Sequence, residues 1–536
     1  MLSHGDSPSM GSFAIAGAAS LVGLLLTLCG CTVGPNFVKP QTNLNSEWSE
    51  RGDKRVSTQA AACEQWWKSF NDPALDQLVQ LACRQNLPLQ IAGLRILEAR
   101  AQLGIAIGQQ YPQTQALTGS EALVRVSENA PNSAPLKHNF RDYQVGFDAA
   151  WELDFWGKYR RGTESEAASL VASMADYDDA LVSLTAETAR TYAVLRTYET
   201  LIELARENVA LEEEGLQIAE SRLRNGVTTE LDVTQARAQL ESTRATIPQL
   251  QISLQRAQNA LCTLLGQPAG KLKALLEGPK VIPTAPSDVA VGMPAELLRR
   301  RPDIRSAELA AVAQSARIGI AKADLYPSFS LVGNLGFETT TSKSANWNNL
   351  FDRGSIAYSV GPGINWPILN YGRIKNNVRV QDARFQQSLV HYQDTVLKAA
   401  QEVEDALTGF LRGQESAVFD QNSVADAKES VELALTQYRE GAVDYQRVLD
   451  TQRFLLTEQN QLAQTRSAIA TDLIALYKAL GGGWELQQSQ PVVAESTLAE
   501  MRKRTDWGRL LSPPEPEDLK PPPPAGDLPY LPSPSW

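Results

Sequence analysis

Three histidines and five cysteines are all this chain offers as soft metal ligands or thiol nucleophiles. His4, His138 and His391 stand far apart, and none lies at helical spacing from another histidine or from a cysteine. HExxH, paired CxxC, P-loop and GxSxG patterns are all missing, so the residues for zinc hydrolysis, dithiol exchange, nucleotide hydrolysis or acyl transfer are not present together. No catalytic constellation can be assembled, and the chain reads as a non-enzyme. A net charge of −11 without any basic stripe argues against nucleic acid as a partner.

One cysteine does carry a chemical pattern. Residues 13–28 are apolar and uncharged and run into Leu28-Cys29-Gly30-Cys31. Such a run, ending in small residues, reads as a secretory signal; a spanning helix needs about 20 apolar residues. The tetrapeptide resembles a bacterial lipobox. That resemblance implies cleavage after Gly30 and a covalent lipid on Cys31, with no other cofactor. Thr32 stands where lipoproteins kept in the inner membrane have Asp, which implies transfer to the outer membrane. Cys63, Cys83 and Cys262 then remain, an odd number that reads as buried free thiols rather than a disulfide framework.

The elements that position everything else are written twice. Tyr111-Pro112, Trp151, Gly157, Gly226 and Leu265-Gly266 each recur 215 residues on, as Tyr326-Pro327, Trp366, Gly372, Gly441 and Leu480-Gly481. Each copy reads helix, strand, loop, strand, very long helix, glycine turn, helix. Tyr143, Val145, Phe147, Ala149, Trp151 and Leu153 alternate with polar or small residues, as do Tyr358, Val360, Pro362, Ile364 and Trp366. A strand over 329–337 alternates likewise, whereas one near 115–126 alternates poorly. The pattern suits lipid-facing barrel strands or a soluble sandwich hairpin equally well.

Lys158 to Asn225 and Arg373 to Glu440 contain no proline, and each segment as a helix would be roughly 100 Å long. Phe385, Leu389, Tyr392, Val396, Ala399, Val403, Ala406 and Phe410 form a heptad seam. Opening helices near 84–110 and 295–325 and returning helices near 228–266 and 443–480 would stack beside the long ones. Pro248 is expected to interrupt and bend one of the returning helices. Four strands cannot close a barrel, and open edges cannot sit in lipid. Two chains would supply eight strands, whose lumen side chains fill; three would supply twelve, so a conducting pore favours the trimer.

At residues 31–485 the chain resembles outer membrane factors of the TolC/OprM type, in the NodT-like lipoprotein subgroup. Cys31-Thr-Val-Gly-Pro-Asn-Phe-Val-Lys-Pro40, Trp66-Trp67 with Phe70 and Asp72-Pro73, Trp151-Glu-Leu-Asp-Phe-Trp-Gly157 and Ala479-Leu-Gly-Gly-Gly-Trp484 carry the likeness. It implies a mainly α protein with membrane β: four strands and long coiled-coil helices per chain, and a homotrimer with a 12-stranded barrel above a helical periplasmic tunnel. The implied function is the passive, gated outer-membrane channel of a tripartite efflux pump. Its partners would be outer-membrane lipid, a periplasmic adaptor (membrane fusion protein) and an inner-membrane RND-type transporter. A protein-secretion exit duct and a non-conducting surface scaffold of coiled coils are the alternatives. The implied division is signal 1–30, lipidated extended segment 31–71, repeats 72–278 and 279–485, and a proline-rich, disordered tail 486–536.

The same resemblance places Gly226 and Gly441 at the periplasmic tip. It assigns Asp450 and Arg453 to the gate, and Asp232 and Tyr438 to polar contacts that hold neighbouring helices shut. Gln446 stands where the OprM-like pattern has leucine, and Arg447 where TolC-like members have a second acid. A wetter, less negative constriction is implied, although Arg447 equally suits a solvated coiled-coil charge.

Overall fold

The computed structural model describes residues 32–41, 44–59, 63–127, 138–270, 279–341, 345–485 and 491–512, apart from a few isolated positions. Cys31, the signal-like stretch before it, most of loop 128–140 and most of tail 513–536 lie outside the described residues. In chain order the elements are β1 Val56–Ser57, α1 Pro73–Gln85, α2 Leu87–Gly108, β2 Thr114–Arg125, β3 Asn139–Leu153, α3 Lys158–Arg224 and α4 Glu230–Leu264. The second half follows with β4 Val289–Ala290, α5 Leu297–Arg300, α6 Pro302–Ala323, β5 Ser328–Thr340, β6 Ile356–Asn365, α7 Arg373–Glu440, α8 Tyr445–Ala479 and α9 Glu495–Arg504.

The four long strands form one antiparallel sheet in the order β2-β3-β5-β6. Its register sorts side chains onto two faces. Leu117 stands opposite Phe147, Phe147 opposite Leu335 and Leu335 opposite Tyr358. With Val145, Leu331, Val360 and Ile364 they make one continuous apolar face across all four strands. On the other face Ala116, Asp148, Asn334 and Ser359 share a row. β2 obeys this rule better than its sequence suggested, because Leu117 and Leu123 share the apolar face while Thr118 and Ser120 take the polar one. The interruption is Glu121, which pairs with Arg141 at 3.0 Å on that apolar face.

Both long helices form unbroken, because proline is absent and one seam of each is buried. Tyr392, Val396, Ala399, Val403, Ala406 and Phe410 of α7 are buried, with Phe385 and Leu389 half-buried. Around the wall, α3 packs against α2 and α4 on one flank and α6 and α8 on the other; α7 then packs on α6 and α8. Gly409 and Gly413 let α8 approach α7, since added Cβ atoms would lie 2.6 Å from Asp472 and 3.0 Å from Ile469. Two expectations need correction. Pro248 does not interrupt α4, which runs intact from Glu230 to Leu264; Pro248 and Arg244 are exposed, so water can solvate the carbonyl that loses its donor. The second opening helix, expected over 295–325, is also broken at Arg301 into α5 and α6, whereas the first runs as one helix, Leu87–Gly108, set off from α1 by Asn86, whose side chain accepts from Leu89 N at 2.9 Å and donates to Leu264 O at 2.9 Å.

Extended segments brace the helices from outside. Residues 33–57 descend along α6 and α7: Val33 N donates to Trp156 O at 3.0 Å, Lys39 pairs with Glu308 at 2.6 Å, and Ser49 N donates to Glu404 at 3.0 Å. β1 then pairs with β4. The fully buried Arg161 holds the top of this strap through Val33 O, Gly34 O and Asn36 Oδ1, its charge balanced by Glu164 at 2.7 Å. Part of the segment expected to be a disordered tail is folded. Residues 491–512 fold onto α2, where Val493, Leu498, Met501 and Leu511 bury Leu97, because this stretch carries a helical apolar spacing that its proline-rich sequel lacks.

The strap crosses α6 at Gly34 and Gly319, where a Cβ on Gly319 would stand 2.8 Å from both Val33 O and Arg161 Cγ. Gly319→Ala should therefore displace the strap, costing about 1–3 kcal/mol. Limited proteolysis should then cut within 33–41 faster than in the wild type, and equal cutting rates would refute the tight crossing.

Candidate functional site

The two helical hairpins end in matching glycine turns. Gly226 (φ +71°) and Gly441 (φ +84°) adopt the left-handed conformation that glycine accepts without strain. Each turn reverses the chain at the end of a long helix, so polar side chains from α3, α4, α7 and α8 converge there.

Arg222, in the last turn of α3, joins the two turns. Its guanidinium donates to Tyr438 O at 2.7 Å, to Arg439 O at 3.2 Å and to Val227 O at 3.5 Å, and lies 4.8 Å from the centre of the Tyr438 ring. It thus satisfies end-of-helix carbonyls of both hairpins at once. The Tyr438 hydroxyl donates to Asp232 Oδ2 at 3.1 Å, and the Thr228 hydroxyl donates to the same oxygen. Tyr438 is fully buried and meets Tyr445 edge-on at 5.1 Å. Burial pushes the Tyr438 hydroxyl above its ordinary pKa, so it stays a donor. The expected Asp232–Tyr438 contact is present, and Arg222 was missed. Its signal in the sequence was only a basic residue four before a helix-ending glycine.

A second cluster lies higher on α8. Gln446 Nε2 donates to Asp450 Oδ1 at 2.8 Å, and both residues are exposed. Arg447 is exposed too, its backbone N–H capped by Asp444. Arg453 Nε donates to Gln239 Oε1 at 2.8 Å; Gln239 Nε2 donates to Glu212 Oε1 at 3.1 Å, which also accepts from Thr243 at 2.9 Å. This chain of side chains ties α8 to α4 and α3. Among the described residues, no ion pair joins Asp450 to Arg453, so within one chain these two expected gate residues are not brought together. Glu212, Gln239 and Thr243 were also missed by sequence reasoning. They are 27 to 31 residues apart in the chain and follow no recognisable motif.

Glu212 is 2% exposed, and its Oε2 has no partner. Burial raises its pKa, only partly offset by the Gln239 and Thr243 hydrogen bonds and by Arg453. Among the described residues no group of His, Cys, Asp or Glu could hold a metal ion.

Comparison with known proteins places this geometry. The outer membrane efflux protein family matches residues 78–267 and again 293–482, two stretches displaced by the same 215 residues as the internal repeat. Nodulation protein T of Rhizobium leguminosarum bv. viciae is 30% identical over 490 residues, covering 91% of this chain and 98% of that protein. The probable efflux pump outer membrane protein TtgC of Pseudomonas putida is 32% identical over 481 residues, covering 88% and 97%. Among solved structures, the outer-membrane channel OprN superposes with a TM-score of 0.79 at 33% identity, over 85% of this chain and all of that one.

A carboxylate with a raised folded-state pKa costs stability once the pH exceeds its unfolded value, and the cost is complete above the folded value. Glu212→Gln should therefore melt at or above the wild-type temperature at neutral pH and lose that advantage in mild acid. Thermal unfolding of the detergent-solubilised protein at both pH values measures this; a variant less stable at neutral pH would refute it.

Proposed function

The chain belongs to the outer membrane efflux protein family, and from that membership we propose that three copies close one conduit, latched at the Gly226 and Gly441 tips. It is the outer-membrane channel component of tripartite efflux, it is not an enzyme, and it needs no cofactor. Its fold is that of the TolC-like channels.

One observation carries the trimeric reading: the sheet ends in two unpaired edges, β2 and β6, and its continuous apolar face is solvent-exposed. In hydrocarbon each unpaired backbone group costs several kcal/mol, so the edges must be closed by other copies. Twelve strands from three chains leave an open lumen, where eight would fill theirs. No described helix is long and apolar enough to cross a membrane. Aromatic side chains bracket it. Trp151, Trp156 and Trp366 anchor their indole N–H groups to Gln110 O, Pro327 O and Leu325 O at the lower end, and Trp347 and Phe351 lie on Tyr143 and Phe337 at the upper end.

The helices support the same closure. Within the chain the repeats alternate α2–α3–α6–α7, so the flank of α7 and the flank of α2 and α4 are left without neighbours. Exposed Val390, Leu397, Val418 and Phe419 lie on α7, and exposed Leu87, Ile91, Ile105 and Ile252 on α2 and α4. Gly104 is the repeat partner of Gly319, yet a Cβ there meets open space. The α7 of an adjoining copy would pack there as α3 packs on α6. Lipidation of Cys31 fits the position of Thr32, which abuts Gly157 directly beneath the sheet. A periplasmic adaptor and an inner-membrane RND-type transporter would engage the helical end and supply the energy.

Purified protein should form trimers that conduct in planar bilayers, and a non-conducting trimer would favour the scaffold reading. Asp450→Ala and Tyr438→Phe should each raise open probability; unchanged gating in both would remove these residues from the latch. Gly104→Leu should leave the helix content of the monomer intact while reducing the trimer fraction in native mass spectra. Cys31→Ser should abolish labelling by radioactive palmitate, and persistent labelling would refute the anchor.

A further inference from the structure

We infer that charge selection in this conduit is set inside the barrel, by rings of Asp142, Glu338 and Asp148, and that the barrel favours cationic solutes over anionic ones. This rests on the trimeric-conduit reading and adds to it the charge class of the cargo.

The sheet register supplies the placement. Since the face bearing Leu117, Phe147, Leu335 and Tyr358 is apolar across all four strands, it faces lipid, and the opposite face lines the lumen. Asp142, Asp148 and Glu152 of β3 and Glu338 of β5 all lie on that inner face. No Lys, Arg or His occurs on it in any of the four strands; Arg125 and Arg141 fall on the other face. Among the described residues only Glu152 of these acids has an ion-pair partner, Lys158 at 3.9 Å, and that lysine is drawn to Asp324 at 3.0 Å. Asp148 accepts from the Thr118 hydroxyl at 2.8 Å and Asp142 from Gln144 at 3.1 Å, contacts that orient the carboxylates without neutralising them.

The heights matter as much as the sign. Asp142 and Asp148 are six residues apart, about 20 Å along the strand. Glu338 stands opposite Gln144, between them. Three copies would turn these three acids into three stacked rings spanning most of the barrel. Glycines 146, 336, 361 and 363 share the inner face and leave the carboxylates standing into open lumen. The tips differ. There the exposed acid Asp450 shares its level with Arg447 and Arg453, and Gln446 already holds its carboxylate. Opposite charges carried within one turn of the same helix offset one another at a distance, whereas rings of one sign add. The constriction therefore controls passage, and the barrel controls charge.

Single-channel recordings under a potassium chloride gradient test this. The wild type should favour potassium, with the preference weakening in high salt as the Debye length falls from roughly 30 Å at 0.01 M to 3 Å at 1 M. The combined Asp142→Asn, Glu338→Gln, Asp148→Asn variant should keep its conductance while its cation-to-anion permeability ratio falls several-fold. Asp450→Asn should alter open probability and leave the ratio near wild type. A triple variant that conducts with wild-type selectivity would overturn the barrel filter alone. A wild type that never conducts would overturn the conduit reading as well.

Discussion

A sheet with two open edges cannot rest in hydrocarbon, and this constraint shapes the rest of the molecule. Among the described residues the four long strands form one open sheet whose outer edges, on β2 and β6, have no partner strand. Closing those edges by self-association fixes the curvature of the sheet, and the helices that continue from its strands inherit the same cylinder. Each strand runs into a helix within a few residues: Leu153 into Lys158, and Asn365 into Arg373. Tolerance at these junctions is small. Gly157 and Gly372 turn the chain there with positive φ, and the aromatic pair Trp156 and Tyr326 stacks at 4.6 Å between the two repeats. The barrel and the tunnel are thus one wall with a change of secondary structure in the middle.

Within that wall α3 is the keystone. It packs against helices of both repeats, and its buried residues include Arg161, Arg196 and Glu212 as well as an apolar seam. The buried arginines are matched by carboxylates, whereas Glu212 is held by the neutral Gln239 and Thr243 side chains. Arg161 meets Glu164, and Arg196 meets Glu199 at 2.7 Å while also reaching Tyr192 and Leu276 O. Removing one member of such a pair leaves the other desolvated, a cost of roughly 3–5 kcal/mol, so these pairs fix register more than they add stability. The N-terminal strap and α9 then clamp the outside at the level where short helices meet end to end and the wall is thinnest in continuous structure.

Much of this was written in the sequence because it is periodic. The 215-residue repeat, the proline-free helices and the two glycine turns are local patterns, and they became α3, α7 and the tips with ends displaced by no more than a residue or two. β2 was obscured by Glu121, which sits on the apolar face only because Arg141 on the adjacent strand neutralises it. The Arg222 link and the Glu212–Gln239–Arg453 chain were hidden for another reason. Their partners are separated by up to 217 residues and meet only because both hairpins end at the same height. Pro248 misled because its effect depends on whether water can reach the freed carbonyl, which sequence does not state. The segment 491–512 was masked by the prolines that follow it.

The distribution of forces along the tube explains how a rigid wall can still open. Above the tips, α7 and α8 are held by buried Val403, Phe410, Leu473 and Ile474, interactions that lose several kcal/mol when separated. At the tips a smaller apolar cluster that includes Val431, Leu435, Val448 and Leu449 is supplemented by polar ties: Arg222 to three carbonyls, Tyr438 to Asp232 and Arg453 to Gln239. Each such bond involves a charged group and contributes about 1.5–3 kcal/mol. A partner that binds the splayed tips a few kcal/mol better than the closed ones would therefore reverse the equilibrium. Breaking the seam above would cost far more, so the opening stays confined to the last turns of the helices. Splaying confined to the tips would separate only the smaller apolar cluster there and leave the larger seam above it undisturbed.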